Sequence, residues 1–149
     1  MFQHILPLDE VKNYLRIDSD FTEDDFAIIR MTASALEFIT QVTNHVFKVQ
    51  DKTYRNSYNN KINVYDHPIN TIPTGRVPLY ATGVVRFTGS DITLNVGYQN
   101  RYDVPSPLID CALQLIKVWY FEAEKQSNTT LLPENVAEVL NAYRRAIAF

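Results

Sequence analysis

The chain has 149 residues, 46% hydrophobic and 21% charged, a balance that excludes wholesale disorder and suits one domain with one core. Fourteen basic against seventeen acidic side chains give a net charge of −3, without the broad positive footprint of a nucleic-acid binder. A single cysteine excludes an internal disulfide and a cysteine-based zinc cluster, and four glycines argue against glycine-rich phosphate loops.

The N-terminus, Met1-Phe2-Gln3-His4-Ile5-Leu6-Pro7, lacks the pattern of a signal peptide. Leu8, Val11 and Leu15 recur at helical spacing and predict a short helix over 8–16. Thr22 reads as the N-cap of a second helix, with Glu23, Asp24 and Asp25 in its first turn and Phe21 and Phe26 placed as a hydrophobic staple. Its apolar stripe is Phe26, Ile29, Ala33, Leu36, Ile39, Val42, and Asn44 is suited to end it in the left-handed conformation.

Residues 46–100 turn to β-branched and aromatic types. Phe47, Val49 and Thr53, then Ile62 and Val64, predict a hairpin with an Asn-rich tip at 58–61. Pro68, Pro73 and Pro78 are expected to forbid regular structure across most of 66–80. Val85 and Phe87 face Ile92, Leu94 and Val96 across Thr88-Gly89-Ser90-Asp91, which predicts a second hairpin.

Ser106-Pro107 opens a third helix, apolar around most of its circumference, with one polar stripe of Asp110, Gln114, Lys117 and Glu124. Such a helix is buried on nearly every side, either in the core or against another subunit. Its apolar run, Leu108–Phe121, is too short and too interrupted to span a membrane. After the polar loop 126–130, Pro133 starts a fourth helix with a seam of Val136, Leu140, Tyr143 and Ile147. Glu134 early and Arg144 and Arg145 late match the helix dipole. The fold class expected is therefore α+β and mainly helical. It has a four-helix core, with antiparallel β-hairpins of about two to four strands, residues 46–100, inserted between helices 2 and 3.

Candidate chemistry is sparse. Asp18, Asp20, Glu23, Asp24 and Asp25 lack the glycine and the terminal glutamate of a calcium loop. His4, His45 and His67 share no ligand spacing, and Cys111 sits on an apolar helix that suits an inert thiol. No serine occupies a nucleophile elbow. No catalytic residue, metal or cofactor is expected. Lys48, Lys52, Arg55 and Lys61, interleaved with Tyr54 and Tyr58, offer either a phosphate contact or a charged, protected sheet edge. Eighteen aromatic residues favour an interaction surface over a reaction centre. A small helical nucleic-acid-binding or regulatory protein is the alternative from another class, and a small hydrolase with a long-range site stands behind both.

The order of segments resembles the head–tail connector (adaptor, or head-completion) family of long-tailed bacteriophages. The resemblance rests on Leu8-Asp9-Glu10-Val11-Lys12-Asn13-Tyr14-Leu15-Arg16-Ile17-Asp18, on Glu23-Asp24-Asp25 and a long helix ending Thr43-Asn44, and on Ile92-Thr93-Leu94-Asn95-Val96-Gly97-Tyr98. Val104-Pro105, an apolar helix ending Tyr120-Phe121-Glu122, Leu132-Pro133-Glu134-Asn135-Val136, Leu140 and Tyr143-Arg144-Arg145 complete it. It matches least well at 54–61 and 66–80. It implies a structural virion protein made in the host cytoplasm, with no enzymatic activity and no membrane. The chain would form a ring of about twelve or thirteen copies that binds the portal, extends the DNA channel and links the filled head to the stopper or tail-completion protein. Double-stranded DNA would pass without sequence-specific contact. The family's C-terminal segment looks toward the portal, a role carried here onto Pro133, Glu134, Leu140, Tyr143, Arg144, Arg145, Ile147 and Phe149. Lys52, Tyr54, Arg55, Asn56, Tyr58, Asn59, Asn60 and Lys61 are the expected channel-facing or tail-facing hairpin.

Overall fold

The computed structural model describes residues 2–56, 59–125 and 133–144. Helix α1 spans Leu8–Tyr14 and α2 spans Asp25–Thr43. Six strands follow: β1 Gln50–Tyr54, β2 Lys61–Val64, β3 Ile69–Thr71, β4 Leu79–Ala81, β5 Val84–Thr88 and β6 Ile92–Val96. A 3-10 turn at Arg101–Asp103 leads into α3, Ser106–Lys125, and α4 runs Glu134–Tyr143.

Helix α2 begins later and faces differently than its apolar spacing predicts. Asp24, not Thr22, is its N-cap. Phe21 and Phe26 are exposed, Phe26 by 83%, so they form no staple. The buried face is Ile28, Thr32, Ala35, Leu36, Ile39 and Thr43. Two threonines belong to it because their hydroxyls donate to carbonyls one turn back, Thr32 to Ile28 O at 2.9 Å and Thr43 to Ile39 O at 2.7 Å. A satisfied hydroxyl buries at little cost. The helix stops at Asn44 in the left-handed region, φ 61°, as its side chain allows.

Neither predicted hairpin forms. β1 pairs with β6, and β2 pairs with β5, both antiparallel. The six strands make two three-stranded sheets, ordered β1-β6-β3 and β2-β5-β4. The turn at 88–91 therefore carries the chain from one sheet into the other. Arg76 holds that turn by donating to Thr88 O at 3.1 Å and Ser90 O at 2.8 Å. The alternating residues still meet: Val85 and Phe87 share one apolar cluster with Ile92, Leu94 and Val96, joined by Ile62 and Val64. The tight hairpin is instead β4–β5, closed by Thr82-Gly83 with Gly83 at φ 75°. Regular structure also survives between the prolines, as β3.

The larger core gathers all four helices around Leu36, Ile39, Leu108, Leu115, Ile116 and Leu140. As its composition predicts, α3 is buried on most sides: seven residues from Leu108 to Ile116 are buried, with Asp110 and Lys117 outside. Helix and sheet parts are tied at the end of α2, where His67 N donates to Asn44 O and Val46 N to His67 O. No described helix is long and apolar enough to cross a membrane.

Candidate assembly surfaces

The C-terminal segment begins at Pro133, the N-cap of α4, whose carbonyl accepts from Val136 N. Val136 and Leu140 (1% exposed) point into the helical core and fasten α4 to α2 and α3. Leu140 is thus spent on this chain's own fold. Tyr143 is half-buried, its ring 6.1 Å from that of His45. Asn135, Glu138, Asn141 and Arg144 form the outer side. The helix ends at Tyr143, so Arg144 caps it in extended conformation rather than lying within it. Arg145, Ile147 and Phe149, and the side chain of Glu134, lie outside the described residues.

The basic segment is divided by the strand pairing. Lys52 and Tyr54 lie on β1 and Lys61 at the head of β2, in different sheets. Asp66 gathers the first two: Lys52 Nζ lies 2.8 Å from its carboxylate and Tyr54 OH donates to it at 2.6 Å. Burial and that carboxylate push the Tyr54 phenol well up, so it stays a neutral donor. The ammonium of Lys52 also lies 5.6 Å from the Tyr54 ring. Lys52 is therefore compensated by Asp66. Asn56 and Asn60 remain close, Asn56 Nδ2 donating to Asn60 Oδ1 at 3.1 Å. Arg55 and Asn59 are exposed beside them, and Tyr58 lies outside the described residues.

The groups weighed for catalysis are engaged structurally. Burial and nearby Asp110 push the Cys111 thiol up, which keeps it protonated and unreactive. His4 Nε2 lies 3.0 Å from Phe47 O and 3.1 Å from Tyr98 O. His45 Nδ1 meets Tyr98 OH at 2.7 Å, and its ring centroid is 5.2 Å from that of His67. These histidines pin the N-terminus and the sheets to the end of α2, an arrangement without sequence spacing to announce it. Among the described residues no group of three or more His, Cys, Asp or Glu is placed to hold a metal.

Sequence spacing also missed where apolar surface is left over. Val77, Leu79 and Tyr80 on and before β4 are 82%, 65% and 70% exposed. Phe26 and, less fully, Ile29 are exposed on the outer side of α2. A depression lined by Val77, Pro78, Leu79 and Phe87 has Lys61 and Arg86 on its walls. A second, more open one lies between α2 and α3, lined by Ala27, Arg30, Met31, Ser34 and Trp119. The signal for Phe26 was present: it falls off the face that Ile28, Leu36 and Ile39 share.

No protein-family model and no curated protein matches the sequence. Solved structures do match, at the level of fold. A chain in the virion of a native gene transfer agent particle superposes with a TM-score of 0.76 at 14% identity, over 97% of this chain and 91% of that one. A chain in the neck of the empty particle, computed with C6 symmetry, gives 0.75 at 14% identity with the same coverage. One in the neck of the native particle, computed with C12 symmetry, gives 0.69 at 13% identity, again over 97% and 91%. The connector resemblance drawn from segment order is matched by the fold of phage-like neck structures.

Proposed function

We propose that this chain, as one connector domain, is a structural subunit of the neck of a phage-like particle, located in the virion and made in the host cytoplasm. Copies form a ring of about twelve or thirteen. The ring binds the portal, extends the DNA channel and joins the filled head to a stopper or tail-completion protein. The observation that carries this reading is the fold shared over 97% of the chain with neck chains. The absence of assembled catalytic groups among the described residues is compatible with it. Pro133, Tyr143 and Arg144, with the segment continuing through Phe149, face the portal. A helix whose inner side is fixed by Val136 and Leu140 presents a stable outer side to such a partner. Lys52 to Lys61 face the channel or the tail. A net charge of −3 and compensation of Lys52 by Asp66 keep phosphate attraction weak, as passage of DNA requires.

The test is to mix the chain with its cognate portal and image the particles by electron microscopy. A ring seated on the portal is expected. Absence of a ring, or particles that lack the chain yet retain DNA and join tails, refutes the reading.

A further inference from the structure

A ring closed by rotation needs two different surfaces on each subunit that fit one another. The fold leaves two apolar surfaces of different shape, one on α2 and one beside β4. One is the outer side of the first turn of α2, where Phe26 is 83% exposed, with Phe21 in the segment before the helix 41% exposed. The other is the depression beside β4, the edge strand of the β2-β5-β4 sheet. Phe26 is the second residue of α2, and the far end of the helix at Thr43 lies about 25 Å along its axis.

We propose that Phe26 of one copy seats in the β4 depression of the next copy around the ring. This rests on the ring reading above. The knob is held in place. Lys12, almost fully buried, lies 3.0 Å from Asp25 and donates to the carbonyls of Ser19 and Phe21, and Tyr120 OH donates to Asp24 at 2.6 Å. An aromatic ring on a braced helix loses little freedom on docking. The depression suits it, with Val77, Leu79 and Phe87 as apolar walls.

The charges match as well. Asp18, Asp20 and Glu23 are exposed in the segment leading to the knob and outnumber the exposed Arg30 one turn after it. Lys61 and Arg86 line the depression, and no carboxylate is among its described lining residues. Opposite signs favour knob-to-depression contact and disfavour knob-to-knob pairing, which is the discrimination a ring needs against an isolated two-fold dimer. β4 is an edge strand with all three residues exposed, a surface that proteins ordinarily cover.

Photo-crosslinking in assembled particles tests this. Phe26 is replaced by p-benzoylphenylalanine, particles are purified and irradiated, and the products are read by electrophoresis and peptide mass spectrometry. A dimer-sized product joining position 26 to residues 77–87 of a second copy is expected. Particles that contain the chain but crosslink elsewhere, or only within one chain, overturn the docking and leave the neck reading intact. Particles that never contain the chain overturn both. Independently, Phe26→Glu should lower incorporation about tenfold or more with an unchanged melting temperature, since the side chain is exposed in the free subunit. Wild-type incorporation of that variant overturns the docking.

Discussion

Gly97→Ala tests a close backbone approach in the fold. Gly97 follows β6 at φ 117°, and a Cβ there would lie 2.6 Å from Lys48 O and 2.8 Å from Val49 Cα. Both are backbone atoms entering β1, so no side chain can swing aside. The left-handed conformation alone costs an alanine about 1–3 kcal/mol. Ordinary carbon contact begins near ~3.5 Å, so Lys48–Val49 must retreat by most of an ångström. That retreat strains the bond from Gly97 N to Pro68 O (3.0 Å) and the one from Asn70 to Gly97 O (2.9 Å), each worth about 1 kcal/mol. A loss of about 3–5 kcal/mol is expected, a large share of the ~5–15 kcal/mol that holds a domain. Gly75→Ala is the control. Gly75 sits at φ 87° with open space around its Cβ position, so it meets only the conformational penalty, about 1–2 kcal/mol. Urea unfolding of the two variants measures the difference. If Gly97→Ala costs no more than Gly75→Ala, the packing of β6 against the entry to β1 is not what requires glycine.

Leu140→Ala, at a position 1% exposed, should cost about 2–5 kcal/mol in chemical denaturation and make α4 the first site of limited proteolysis; unchanged stability would refute its place in the core. Lys12→Ala should cost about 2–4 kcal/mol, allowing for the partial exposure of Asp25, and adding Asp25→Ala should recover part of the loss. A double variant as unstable as Lys12→Ala alone would show that the carbonyl contacts, not the ion pair, matter. Tyr54 has a folded-state pKa raised above the ordinary value near ~10, so its contribution is complete below that pH and declines as pH rises beyond it. Tyr54→Phe should flatten the alkaline fall in stability above pH ~10 while removing the bond to Asp66; an unchanged alkaline slope would refute the assignment.

What was readable from sequence was what local chemistry decides. Four helices, the left-handed stop at Asn44, the buried circumference of α3 and the seam of Val136 and Leu140 follow from periodicity and capping, which act over one or two turns. The alternation of Val85 and Phe87 with Ile92, Leu94 and Val96 also reported their shared interior correctly. Alternation says which side of a strand is inward and nothing about which strand lies beside it. Partner choice in this protein is long-range: β1 finds β6 some forty residues on, and Arg76 turns the chain between sheets where a hairpin could equally have closed. The face of α2 was misjudged for a related reason, because the hydroxyls of Thr32 and Thr43 find their acceptors within the helix and so join the core while Phe26 is left outside. The depression beside β4 exists only once three strands from separate stretches of the chain have paired, which no local pattern can encode.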